Sequence, residues 1–295
     1  THVRTPCTHV GTPCTRVVIT WTHACITCTA SVSVMRVQVV PQWQGAGPDG
    51  AEVRLRGNAA LASLAETVLD APVSRVPVGD APSPTERGIG NRAALLANAA
   101  THRTALEQAE GPVLTLGGDC ASDLTPVALA RLRHGPTLGV LWFDAHADAN
   151  TPDASPSGAF NGMVLRALLG AGDPDLVANP AVSPGNAVLV GTRFFDPAER
   201  AAVDRGLLRH VPVPADPLDV LAALRRAEVD AVYVHVDADV LDPGGLTVER
   251  VVACLDALTD VDVVGAAVTE CTATDARDAE PLAPVLRALA RLLSH

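Results

Sequence analysis

The chain has 295 residues, of which 48% are hydrophobic, 19% charged and only 3% aromatic, and it carries a formal net charge of -11 at pH 7. That composition fills one large core built mainly from Val, Leu and Ala. The acidic balance argues against nucleic-acid or anionic-membrane partners, which require clustered Lys and Arg, and no clean apolar span of ~20 residues offers a membrane helix.

Cys7, Cys14, Cys25 and Cys28 crowd the start of the chain, with His2, His9 and His23 nearby. One reading is a small zinc site. The favoured reading rests on THVRTPC followed by THVGTPC, a Thr-rich imperfect repeat without periodicity, after which Met35 opens MRVQVVPQWQG like a natural start. Residues 1–34 are then a non-structural extension and residues 35–295 one domain.

From Met35 the pattern is strand, loop, helix, repeated. Short β-branched runs at RVQVVP, PVLTLGG, LGVLWFDAH, AVLVGTR, AVYVHVDAD and VVGAAVTE predict six strands. Ala- and Leu-rich segments of helical period lie at 91–109, 123–132, 218–227, 248–258 and 282–293. Such alternation predicts an α/β fold with a mainly parallel sheet and helices on both faces. Binding sites then belong at the carboxyl ends of the strands.

Three of those runs end in polar residues that can converge. PVLTLGG leads to Asp119 and Cys120, LGVLWF to Asp144, His146 and Asp148, and AVYVH to Asp237, Asp239 and Asp242. In extended backbone, positions i, i+2 and i+4 share a face, so D-x-H-x-D presents its three side chains together if the strand persists that far. Carboxylates gathered this way repel one another unless cations neutralise them. Carboxylate mixed with imidazole suits a divalent first-row metal such as Mn²⁺, and so many ligands suit two ions.

The segments GGDC at 117–120, DAHADAN at 144–150, GTRFFDPAE at 191–199, DADVLDP at 237–243 and TE at 269–270 resemble, in order and spacing, the motifs of the arginase or ureohydrolase family. The resemblance covers essentially Met35 to the C-terminus. It implies a three-layer α/β/α fold, two Mn²⁺ ions, hydrolysis of a guanidino group and a homo-oligomer, trimer or hexamer. It implies that Cys120, Asp144, Asp148 and Asp237 hold the first ion and that Asp144, His146, Asp237 and Asp239 hold the second. Glu270, Asn161 and Asp148 are the implied catalytic residues, Glu270 orienting the guanidino group. Asn150 and Ser157 match positions that hold an α-carboxylate in arginases, and Asp196 one that accepts the α-amino group, with Glu199 nearby. Together they favour an arginine-like amino acid over agmatine, although each alone is also an ordinary loop residue.

Three departures mark this chain. Cys120 stands where the family's GGDH has a metal-binding histidine, and it reads either as a small buried hydrophobe or as a thiolate ligand; the otherwise intact ligand set favours ligation. A thiolate adds negative charge and weakens the centre as a Lewis acid, which suits an N-hydroxyguanidine better than arginine. GGDC also resembles the branch of the family that converts N-omega-hydroxy-L-arginine to hydroxyurea and ornithine in antibiotic biosynthesis. Asn161 replaces a histidine thought to shuttle protons, and Asn does not titrate. After DADVLDP the chain runs straight into GGLTVERV, without the Pro- and Gly-rich loop of relatives, which either opens the pocket or marks a defective site.

His102, His134, His210 and His295 are expected at the surface. His235, two residues before Asp237, reads either as support for the ligands or as a core histidine. Cys254 and Cys271 read as structural, and without a regular cysteine framework in the body a reducing cytoplasm is the expected setting. The sequence thus points to a small guanidino amino acid as partner, best N-omega-hydroxy-L-arginine. The alternatives are an arginase, an agmatinase or other guanidino-acid hydrolase, and a non-catalytic metal- or ligand-binding relative.

Overall fold

The computed structural model describes residues 34–294. The cysteine-rich start and His295 lie outside the described residues, so neither reading of residues 1–33 is addressed by it. Eight strands form one sheet: β1 (Arg36–Val40), β2 (Val73–Arg75), β3 (Val113–Gly117), β4 (Leu138–Phe143), β5 (Ala187–Val190), β6 (Leu208–Val211), β7 (Ala231–Asp237) and β8 (Asp262–Thr269). Their order is β2-β1-β3-β8-β7-β4-β5-β6, and each pairing among these strands is parallel. The expected α/β class holds, with a sheet that is wholly rather than mainly parallel.

Helices cover both faces, as parallel strands require. On one face lie α1 (Ala51–Val68), α6 (Pro217–Ala227), α7 (Val248–Asp256) and α8 (Ala283–Leu292). On the other lie α2 (Arg92–Glu107), α3 (Leu124–His134), α4 (Val164–Leu168) and α5 (Pro197–Asp204). Strand alternation distributes the core between them. Leu141 and Phe143 of β4 point into the first layer, whereas Leu138, Val140 and Trp142 point into the second.

Two strands and three helices were not read from the sequence. β2 (VSR) and β6 (LRHV) are short, lie at the two sheet edges and carry polar residues. Helix α1 mixes Arg, Gly and Asn into its apolar pattern; Gly57 there is required by packing, because a Cβ would lie 1.7 Å from the Cys271 carbonyl oxygen. The turn that replaces the expected loop after Pro243 is closed: Gly245 N donates to Asp242 O at 2.8 Å and Leu246 N to Val240 O at 2.8 Å. Leu246 is buried in the core, so the shortened connection is a formed structure.

The expectation that the lone histidines sit at the surface fails at two positions. His134 is exposed, but His102 is buried in α2 and His210 is half-buried, its Nε2 2.9 Å from Thr192 O. His102 has a hydrogen bond with the Ser122 backbone, its Nε2 has no partner, and burial lowers its pKa from 6.5 to about 4. A folded-state pKa below the unfolded one means that the unfolded chain takes up the proton first. Stability is therefore complete above pH 6.5 and falls as pH drops toward 4, by about 3 kcal/mol at ~1.4 kcal/mol per unit. Urea unfolding at pH 7 and pH 4.5 should show that loss in the wild type and little of it in H102Q; an equal loss in both would remove His102 as its cause.

Candidate metal centre

Four adjacent strands, β3, β8, β7 and β4, aim their carboxyl ends at one place. Cys120 follows β3, Asp144 follows β4, Asp237 ends β7 and Glu270 follows β8. The two glycines of GGDC are dictated by close approach. A Cβ on Gly117 would lie 1.9 Å from Ser122 Oγ, and one on Gly118 would lie 2.1 Å from Gln42 O. Asp119 is fully buried and in neither ligand set, accepting hydrogen bonds from Gln42 Nε2 at 3.0 Å and Gly45 N at 2.7 Å. It fixes the turn that presents Cys120.

Two sets of ligand atoms gather there. Cys120, Asp144, His235 and Asp237 form one, and Asp144, His146 and Asp239 the other, with the atoms of each set within 4.8 Å of one another. Asp144 belongs to both. Cys120 Sγ donates to Asp237 Oδ2 at 3.0 Å and lies 3.3 Å from Thr269 Oγ1. His146 Nδ1 lies 2.8 Å from Asp239 Oδ2 and 3.6 Å from Asp144 Oδ1. Backbone amides hold the carboxylates in place: His146 N donates to Asp144 at 2.6 Å, Ala145 N to Asp239 at 3.0 Å and Asp239 N to Asp237 at 2.7 Å.

Asp148 joins neither set, and the face-sharing expected of D-x-H-x-D does not hold as stated. β4 ends at Phe143, and Asp148 has φ 50, a left-handed conformation. Its backbone carbonyl accepts from Leu165 N at 2.9 Å, which ties the turn to α4. Its buried side chain still comes within hydrogen-bond reach of Asp144, and its Oδ2 has no partner.

His235 was the undecided histidine. It is fully buried, its Nδ1 is 2.7 Å from Asp123 Oδ2, and its ring stacks on Trp142 at 3.4 Å and 5°. The β4–β7 register pairs Trp142 with His235, which makes this stack possible. Trp142 Nε1 in turn donates to Asp144 Oδ2 at 2.9 Å. The roles of Asp123, Trp142 and Thr269 follow from strand neighbours and not from spacing along the chain, so the motifs that contain them do not announce them.

The electrostatics fit divalent cations. Burial, then mutual repulsion, pushes Asp148 and Asp237 well above the usual carboxylate range and raises Asp144. Burial and the same carboxylates push the Cys120 thiol up. His146 rises to about 10 through hydrogen bonds to Asp144 and Asp239. A buried cluster of carboxylates that outnumbers its single imidazolium, His146, and leaves the Asp148 Oδ2 without a partner is what cation binding would complete.

These groups floor a cavity of about 560 Å³ lined by Arg54, His146, Asp148, Asn150, Ser157, Asn161, Arg193, Phe194, Asp196, Glu199 and Glu270 among others. Glu270 has φ 55 and is buried, and burial first, against the pull of Arg54, brings it to about 7. Asn161 Nδ2 donates to Glu270 Oε1 at 3.1 Å. Farther out, Asn150 Nδ2 donates to Asp196 Oδ2 at 2.7 Å, while Asn150 Oδ1 is buried without a partner. Ser157 is exposed at the rim, its Oγ accepting from Ala159 N at 3.2 Å. Both Glu199 oxygens accept backbone amides, Ala149 N at 2.9 Å and Asp196 N at 2.8 Å, so Glu199 holds Asp196 in position. Arg54 and Arg193, the two arginines of the cavity wall, carry no signal in the sequence that singles them out.

The model of the family described as Arginase family matches residues 45–289. An arginase of Staphylococcus aureus (strain MRSA252) is 36% identical over 140 residues, covering 44% of this chain and 46% of that protein. N(omega)-hydroxy-L-arginine amidinohydrolase of Streptomyces lavendulae is 33% identical over 156 residues, covering 52% and 55%. The aligned part of the chain thus spans about half the length of these curated relatives. Among solved structures, arginase from Bacillus caldovelox has a TM-score of 0.72 at 24% identity, covering 89% of this chain and 99% of that one. Proclavaminate amidino hydrolase from Streptomyces clavuligerus has a TM-score of 0.61 at 21% identity, covering 88% and 92%. At these identities the structural likeness shows the fold.

Proposed function

The chain belongs to the arginase family, and from that premise we propose that it hydrolyses the guanidino group of an arginine-like amino acid, best N-omega-hydroxy-L-arginine, to hydroxyurea and L-ornithine. The observation that carries the reading is the pair of ligand sets sharing Asp144 at the floor of a cavity that Glu270 faces. Cys120, Asp144, Asp148 and Asp237 would hold one Mn²⁺, and Asp144, His146, Asp237 and Asp239 the other. When bound, the ions neutralise the carboxylates and supply an ionised water near neutral pH.

The chain's own residues do the rest. Glu270 receives the guanidino group and aims its carbon at the floor. Asn161, tied to Glu270, holds that carboxylate and offers a hydrogen bond to the departing nitrogen without delivering a proton of its own. Asp196 would take the α-amino group, and Asn150, tied to Asp196 through Nδ2, would take the α-carboxylate together with Ser157 at the rim. The separation of an acidic floor from a polar rim suits a molecule with a guanidino group at one end and a charged amino-acid group at the other.

Cys120 supports the hydroxylated substrate. A thiolate in place of an imidazole lowers the positive charge at the centre, and an N-hydroxyguanidine, being less basic than a guanidine, offers more of its electrophilic neutral form. The second reading, an arginase releasing urea, is supported by the 36% identical relative of that name. Hydroxyurea and urea release should be measured side by side on Mn²⁺-loaded protein. A kcat/KM for hydroxyarginine above that for arginine is expected; faster turnover of arginine selects the second reading, and binding without turnover selects a non-catalytic relative.

The reading includes a cytoplasmic setting and a homo-oligomer, trimer or hexamer. Cys120, Cys254 and Cys271, buried and unpaired, support a reducing compartment. Among the described residues no helix is long and apolar enough to cross a membrane.

A further inference from the structure

The carboxylate that would receive the guanidino group already has a guanidinium beside it. Arg54 Nε lies 2.7 Å from Glu270 Oε2, and the other oxygen, Oε1, accepts from Asn161 Nδ2 at 3.1 Å. Arg54 belongs to the cavity wall and its side chain is 22% exposed. It is not a loose surface cation. One turn along α1, Gly57 packs so closely on the segment after Glu270 that a Cβ would lie 1.7 Å from Cys271 O. The next residue, Asn58, donates from Nδ2 to Leu116 O at 2.8 Å, which pins α1 to β3. The Arg54–Glu270 pair is therefore built on two elements in direct backbone contact.

This pairing has a consequence for charge. With Glu270 bare, a cationic guanidinium would find a full countercharge. With Arg54 held against it, the pair is close to neutral at the guanidine end of the cavity, and an incoming cation meets the charge of Arg54 at short range. A neutral guanidine meets no such repulsion and still donates its N–H hydrogen bonds to Glu270.

We propose that Arg54 sets the substrate's charge state, cancelling Glu270 so that the cavity admits the neutral form of a weakly basic guanidine, such as an N-hydroxyguanidine, and resists a guanidinium ion. The inference rests on the amidinohydrolase reading and deepens it. Cys120 acts at the metal, whereas Arg54 acts on the group being bound, so the two are separable by mutation.

The test uses metal-loaded wild type, R54Q and R54K, with melting curves to confirm folding. In R54Q the kcat/KM ratio of L-arginine to N-omega-hydroxy-L-arginine should rise about tenfold, mainly through a lower KM for arginine, while R54K, which keeps the charge, should hold the wild-type ratio. A ratio unchanged within about twofold in folded R54Q, or an equal loss with both substrates, overturns the inference. Calorimetry gives a readout free of turnover: wild type should bind N-hydroxyguanidine at least about tenfold more tightly than guanidinium at pH 7.5, and R54Q should narrow that gap. Equal binding of the two probes by the wild type overturns the inference, even if R54Q does not fold. Wild-type protein silent with both amino acids would overturn the amidinohydrolase reading, leaving Arg54 to be judged on the calorimetry alone.

Discussion

Asp144→Asn should empty both ligand sets and lower turnover of any guanidino substrate by about a thousandfold, the ~4 kcal/mol that losing one electrostatic partner at a reacting centre costs. Asp144 lies in both gathered sets and, with Asp237, would serve both ions; it is fully buried just past the end of β4. Both of its oxygens are held, one by Trp142 Nε1 and one by His146 N, so it cannot be replaced by a neighbour swinging in. Asn keeps the shape and removes the charge. Without metal, Asp144 is crowded by burial and by other carboxylates, so the metal-free variant should melt no lower than the metal-free wild type, and higher if repulsion dominates. Metal analysis after dialysis, melting curves and turnover read this together. A D144N protein that retains two ions would contradict the assignment, and one that melts far lower without metal would make Asp144 a structural residue.

Cys120→Ala carries the second large effect. Cys120 is 1% exposed, with its Sγ 3.0 Å from Asp237 Oδ2 and 3.3 Å from Thr269 Oγ1. A merely structural thiol would leave metal affinity unchanged when shortened to Ala. A ligand would not, and C120A should hold its weaker-bound ion about 10- to 100-fold less tightly, the range seen when a metal site loses a supporting group. Co²⁺-loaded protein separates the readings directly. The wild type should show a near-ultraviolet thiolate-to-cobalt charge-transfer band that C120A lacks. Identical spectra in the two proteins would return Cys120 to the reading of a small buried hydrophobe.

Much of this fold was legible because parallel strands buried on both faces must be continuous apolar runs, and VLTLG, LGVLWF and AVYVHVD are such runs. The edge strands were not legible, since LRHV needs only one neighbour and half-buries its polar residues. The acidic motifs were visible as D-x-H-x-D and D-x-D, but strand alternation gave the wrong geometric reason for Asp148, which is turned toward the cluster by a left-handed backbone after the strand has ended. The Asp123–His235–Trp142 arrangement depends on register between strands distant in sequence, and the Arg54–Glu270 pair on how α1 packs beyond β8. No local pattern announces either. The place of His102 is hidden for a related reason: a single histidine in an Ala- and Leu-rich helix reveals nothing about the packing that buries it beside the Ser122 backbone.

If the cluster around Asp144 is a two-metal site serving guanidino hydrolysis, activity must follow metal stoichiometry. The most direct test is stoichiometric titration of metal-free protein with Mn²⁺, with hydroxyurea or urea release followed at each addition. Turnover should rise until two ions per chain are bound and then stay level. Full activity at one ion per chain, or activity indifferent to metal, would contradict the two-metal site.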